Sequence, residues 1–175
     1  MIWVKTPKLV GKIVSSRLLF GTVGGDWDVK QRILLSDTDK HKSIYQHFVD
    51  GVPWEETDVF VNSYTKRFRP HDSLKGREEY RAMLARYRET VDAVFLNLKR
   101  IGFSSDFKLP VVLIGRSGEV MLGNQGNHRV AMAKLLGLEK VPCEVIVRHT
   151  VWQRLRINNP DHYDVVEHPD RLIRQ

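Results

Sequence analysis

Apolar residues recur along this chain with two different periods. Tyr80, Met83, Leu84, Tyr87, Val91, Val94, Phe95, Leu98 and Ile101 are spaced by three and four, with Arg81, Arg86, Arg88, Glu89, Asp92 and Lys99 mostly off that stripe. This spacing predicts one amphipathic helix, its stripe turned to the core, ended by Gly102. Short apolar runs predict strands: Ile2-Trp3-Val4, then residues 8–14 beyond Pro7, which cannot donate to a ladder, then 17–23, 111–114, 120–122 and 141–147. Residues 40–49 and 54–64 predict two short helices, the second opened by Pro53 with Glu55 and Glu56 at its positive end. Trp54 is assigned to packing.

The stretch 111–148 organises the rest. Val111–Ile114, the turn Arg116-Ser117-Gly118-Glu119 and Val120–Leu122 predict a hairpin, because glycine permits the backbone angles of a tight turn. The loop Gly123-Asn124-Gln125-Gly126-Asn127 then enters a helix with His128 and Arg129 in its first turn and Gly137 as its C-terminal stop. A helix start offers unpaired N–H groups and partial positive charge, and glycines would let an anion approach. Gly123, Asn124, Gln125, Gly126, Asn127, His128 and Arg129 are therefore candidate phosphate or nucleotide contacts. Arg148 and His149, at the end of the returning strand, are placed to reach the same pocket, and Trp152 either stacks on a base or closes the core.

The order Pro110 to Gly115, Gly126-Asn127-His128-Arg129, Leu136-Gly137-Leu138 and Val141-Pro142 resembles the second half of the ParB/sulfiredoxin-like domain. There a Gly-x-(His or Arg)-Arg signature opens a helix and is followed by a Leu-Gly-Leu stretch and an Ile/Val-Pro pair. The resemblance covers a minority of the 175 residues. It implies a nucleoside triphosphate, ATP or CTP, held at the helix start, with hydrolysis or phosphate transfer as the chemistry. Asn127 stands where sulfiredoxins carry their catalytic Cys, which argues against sulfinic acid repair. Partition proteins place Glu before a paired Arg, and Gln125 and Asn127 replace the Asp and first His of the family's kinases, so the reaction type stays open.

Gly24-Gly25-Asp26-Trp27-Asp28 is the second notable motif. In an extended segment both carboxylates fall on one side, where they could hold Mg²⁺ or leave one as a general base. An ordinary turn with Asp side chains bonding nearby N–H groups competes evenly. Kinases of the resembling fold bring an acidic residue from the N-terminal half to the phosphate loop. That implies Asp26 and Asp28 as catalytic or metal-binding residues, with His128 and Arg129 offsetting charge on the transferred group.

Composition narrows the picture. The 175 residues, 42% hydrophobic, suit one core and a single soluble α+β domain over about 1–157, with a helical insertion near 40–102 and a polar tail 158–175. A formal charge of +7 favours nucleotides or nucleic acid. The basic stretches 66–71 and 148–156 support an alternative, a nucleic-acid-binding module or ParB-like nuclease without nucleotide chemistry. For 66–71 a solvated loop is the commoner outcome. In a third and blander reading, His128 and Arg129 pair with core carboxylates and lock the fold. The lone Cys143 forms no disulfide within the chain and suits a core position in a reducing, cytoplasmic setting. No run approaches membrane-helix length, and the first residues lack a signal-like apolar block. His162 and His168 have no familiar metal-ligand spacing. Motifs of P-loop NTPases, zincins, zinc ribbons and α/β-hydrolases are absent from the sequence.

Overall fold

The computed structural model describes residues 1–6, 9, 11–13, 21–30, 32–104 and 108–158. In chain order the elements are β1 (Ile2–Lys5), β2 (Gly11–Ile13), β3 (Gly21–Val23), α1 (Trp27–Lys30), β4 (Arg32–Leu34), α2 (Asp39–Phe48), α3 (Thr65–Phe68), α4 (Leu74–Arg86), α5 (Asp92–Ile101), β5 (Val111–Ile114), β6 (Val120–Leu122), α6 (Asn127–Leu135), β7 (Lys140–His149) and α7 (Thr150–Asn158). The fold is mixed α+β and divides into two compact units, Met1–Leu35 with Phe103–Gln175, and Ser36–Gly102. No helix of the described residues is long and apolar enough to cross a membrane. His162 and His168 lie outside the described residues.

The first unit is built on one mixed sheet of order β1-β7-β5-β6-β2-β4, with β3 also paired to β7. The long β7 is shared along one edge. Its first half runs antiparallel to β1, with Ile2 opposite Cys143, and its second half parallel to β3, with Val23 opposite His149. On its other side it is parallel to β5, and the register slips by one residue between Val112 and Leu113. β6 returns antiparallel to β5. Strands β3, β5 and β7 therefore all finish at one end of the sheet, while β6 finishes at the opposite end, where β5 begins.

All four residues of β5 are buried, which explains its unbroken apolar run, since a strand covered on both faces has no polar side to show. Val112 and Ile114 pack with Val120, Leu122, Val130, Ala133, Cys143 and Trp152. Leu113 points the other way, to Met121, Val147 and Trp27. Each such fully buried side chain contributes about 2 kcal/mol, and together they fix both ends of β5. At the far end of α6, Gly137 adopts φ 66°, and the Leu138 N–H donates to the Ala133 carbonyl at 2.9 Å, so the predicted stop is the one the helix uses.

The second unit is helical around buried Trp54, Phe60, Tyr64 and Tyr87. Trp54 is packing, as the sequence suggests, with its indole N–H on Asp92 at 2.8 Å. Two expectations change here. The predicted helix 54–64 is a 3-10 turn, Trp54–Glu56, then an extended Thr57, then a π-helical segment, Val59–Tyr64, that continues into α3. The stretch 66–71 is not simply a loop: Lys66, Arg67 and Phe68 belong to α3, and Arg69 turns the chain at φ 46° before Ser73 caps α4. The stripe from Tyr80 runs through α4, a π-helical segment (Tyr87–Val91) and α5. A π turn holds an extra residue, so three-and-four spacing drifts off the inner face; Tyr87, Val91 and Leu98 are buried, but Ile101 is exposed.

Candidate functional site

The two groups of candidate residues occupy opposite ends of the sheet. At the end where β5 begins, the loop 123–127 is bound to β5 by main-chain bonds, Gly123 N–H to the Val111 carbonyl at 2.8 Å and Val111 N–H to the Gln125 carbonyl at 3.2 Å. Gly126 caps α6 at φ 86°, and a Cβ there would stand 2.5 Å from Cα and Cβ of Pro110. A Cβ on Gly123 would meet Leu113 and Val111 at 3.2 Å. The glycines thus admit the protein's own strand, and the Gly123 N–H is already taken by the Val111 carbonyl.

What remains at this end is the helix start itself. No side chain of the described residues caps α6, and its first backbone bond is Val130 N–H to the Gly126 carbonyl at 3.0 Å. Asn124 and Gln125 are exposed. Asn127 is only 5% exposed; its amide nitrogen donates to the Asn124 carbonyl at 3.2 Å, while its buried side-chain oxygen has no donor among the described residues. His128 is half-buried. Arg129 is half-buried too, and it forms neither a hydrogen bond nor an ion pair among the described residues. Burial pulls its pKa down, partly offset by Cys143, whose thiol burial pushes up to about 12. Among the described residues, then, Arg129 does not lock the fold through a carboxylate.

At the other end, where β3, β5 and β7 finish, three candidates come together around a residue that sequence reasoning missed. Arg116, in the β5–β6 turn, gives its backbone N–H to Asp28 Oδ2 at 2.8 Å, its Nε to the same oxygen at 2.9 Å and its Nη2 to Asp28 Oδ1 at 2.7 Å. The same Nη2 reaches the Gly25 carbonyl at 3.0 Å and Asp26 Oδ1 at 3.2 Å. Lys30 pairs with Asp26 Oδ2 at 3.0 Å. His149 is 3% exposed; its Nδ1 accepts from the Val151 N–H, so Nε2 carries the proton that it gives to the Gly25 carbonyl at 2.8 Å. Trp27 packs on its ring, centroids 5.8 Å apart.

This cluster is a clamp of hydrogen bonds and ion pairs. Burial would raise the Asp28 carboxyl, but the side-chain and backbone hydrogen bonds from Arg116 outweigh it and leave the group below the usual carboxylate range. Asp26 is lowered by its hydrogen bonds from Lys30 and Arg116. A guanidinium stands where Mg²⁺ was expected between the two carboxylates, and no cluster of three metal-ligating side chains occurs among the described residues. Both imidazole nitrogens of His149 are engaged by the backbone, which withdraws it as a ligand contact.

The expected joint site of Asp26 or Asp28 with Arg129 is likewise corrected. The length of β5, four residues at about 3.3 Å each, separates the clamp from the α6 start. Arg148, next to His149 on β7, makes no hydrogen bond or ion pair with either group among the described residues. It lies opposite Ile114 in the register, half-buried, its pKa lowered by burial and then by Arg156. In the second unit, Thr65, Lys66, Arg69, Pro70, His71 and Asp72 line an open cavity of about 330 Å³. The missed Arg116 had one sequence signal: two close carboxylates in a chain of excess positive charge call for a cation, although nothing local says which of 28 Lys and Arg supplies it. No protein-family model, no curated protein and no solved structure matches the chain.

Proposed function

We propose that the chain binds a nucleotide at the start of α6, with Arg129 on its phosphates. One observation carries the reading: beside an uncapped helix start, among the described residues, the Arg129 guanidinium has no acceptor and the buried Asn127 oxygen has no donor. An inorganic anion would use the helix start and Arg129 alone. A nucleotide also brings a ribose hydroxyl or an exocyclic amine, the kind of donor that the Asn127 oxygen lacks. The resemblance to ParB/sulfiredoxin-like domains points to ATP or CTP. The activity proposed is binding. Hydrolysis or phosphate transfer by Asp26 or Asp28 is not part of it, because those carboxylates are clamped at the other end of the sheet, and any Mg²⁺ would arrive on the nucleotide's phosphates.

The test is calorimetric titration with ATP, CTP and GTP, with and without Mg²⁺. Arg129→Ala is expected to weaken binding tenfold or more, since a charge-assisted hydrogen bond contributes about 1.5–3 kcal/mol. It should leave the melting temperature of the free protein unchanged or slightly raised, because the half-buried cation it removes has no partner among the described residues to lose. Equal affinity in wild type and Arg129→Ala ends the proposal. If a Lys66→Glu/Arg69→Glu variant abolishes a salt-sensitive affinity for DNA while nucleotides fail to bind, the nucleic-acid reading takes its place.

A further inference from the structure

We infer that a second anion site lies where β7 passes into α7, built from Arg148, Arg156 and the indole N–H of Trp152, and that it receives a phosphate group. Arg148 lies opposite Ile114 in the sheet register and is half-buried. It has no hydrogen bond and no carboxylate within ion-pair distance among the described residues. Arg156 lies over the Trp152 ring, its Cζ 5.5 Å from the centroid. Trp152 is 2% exposed, and its Nε1–H finds no acceptor among the described residues. A buried indole N–H is ordinarily paired.

These groups share one chemistry: all are donors and two are permanent cations. Their mutual repulsion shows in the lowered pKa of Arg148, to which Arg156 contributes after burial. An acceptor-only ligand relieves both defects. Two guanidinium forks suit a tetrahedral phosphoryl group, whose charge near −2 balances them, better than a singly charged carboxylate. This site does not rest on the α6 reading. Arg129 acts electrostatically on Cys143, five residues before Arg148 on β7, or about 16 Å along an extended strand.

The test is ¹H–¹⁵N spectroscopy of the indole groups during titration with inorganic phosphate. Trp3, Trp27, Trp54 and Trp152 give four indole signals, and Trp152→Phe identifies the one of interest. That signal should move saturably in wild type and equally in Arg129→Ala, which separates this site from α6. In Arg148→Lys/Arg156→Lys, which keeps both charges, the midpoint should rise about tenfold as the forked contacts are lost. In Arg148→Ala/Arg156→Ala the movement should vanish while the Trp27 and Trp54 signals hold their positions as evidence of folding; if this variant does not fold, the lysine pair decides. A titration with AMP identifies the source: tighter binding than phosphate means a phosphomonoester ligand, equal binding means free phosphate. A Trp152 signal that stays still at saturating phosphate, or that moves with an unchanged midpoint in the lysine pair, overturns the inference.

Discussion

Replacing Gly126 with Ala tests the packing account of the α6 loop most directly. The residue holds φ 86°, ψ 8°, a conformation that costs an L-residue about 1–2 kcal/mol. The added methyl would also lie 2.5 Å from Cα and Cβ of Pro110 and 2.9 Å from its Cγ. Pro110 cannot retreat easily: its carbonyl accepts the Glu144 N–H at 2.9 Å, and the next residue donates to Gln125. Overpacking against such a wall adds about 1–3 kcal/mol, for a total near 3 kcal/mol. Gly137→Ala is the control at the other end of α6, with φ 66° and nothing within 4 Å of the new methyl. It should show only the conformational part, about 1 kcal/mol. Urea midpoints at constant slope measure both. If Gly126→Ala costs no more than Gly137→Ala, the Pro110 contact has no energetic weight and the glycine needs another explanation.

The clamp and the thiol give two further expectations. Asp28→Asn keeps the side-chain volume but removes the charge facing Arg116, and should destabilise by about 1–3 kcal/mol at neutral pH. Because the folded carboxyls of Asp26 and Asp28 lie below their ordinary value of 3.8, their contribution is complete above that pH and is lost as pH falls through the lower folded values. Denaturation curves from about pH 7 to about pH 2 should show a shallower acid loss in Asp28→Asn; an identical slope rejects the clamp. Cys143, with its thiol pushed up to about 12, should resist a disulfide reagent in the native state and react once unfolded. As the unfolded thiol ionises first, its contribution to stability falls as pH rises above the ordinary 9.0. Rapid labelling of native protein would contradict its burial.

Local features were legible in the sequence because local rules create them. The hairpin around Gly118, the end of α6 at Gly137 and the course of β7 depend on turn chemistry and apolar runs within a few residues. The π-helical segments, Val59–Tyr64 and Tyr87–Val91, were not legible, because no residue type marks the extra residue in a turn; it is fixed by how Phe60, Tyr64 and Tyr87 pack, with the Tyr64 and Tyr87 hydroxyls 3.2 Å apart. The clamp is partly legible. Asp26, Asp28 and His149 were each candidates and do meet, but their role depends on Arg116, 88 residues from Asp28, and no spacing rule reaches that far. The separation of clamp and loop is a matter of strand direction. Had β6 run parallel to β5, the loop 123–127 would have emerged at the Asp28 end.

That separation also bears on where a ligand is to be sought. In open sheets the carboxyl ends of parallel strands are the usual binding edge, and here β3, β5 and β7 supply such an edge. The protein closes it with its own ion pairs: Arg116 and Lys30 satisfy both carboxylates, and the backbone satisfies His149. Those acids therefore do nothing for Arg129, Arg148 or Arg156. A half-buried cation without a counter-charge is held at a cost to stability, and an anion that binds only the folded state returns that cost as a rise in melting temperature. Arg129, Arg148 and Arg156, which are unpaired among the described residues, rather than the acidic motif at the strand ends, are accordingly where phosphate should stabilise this fold.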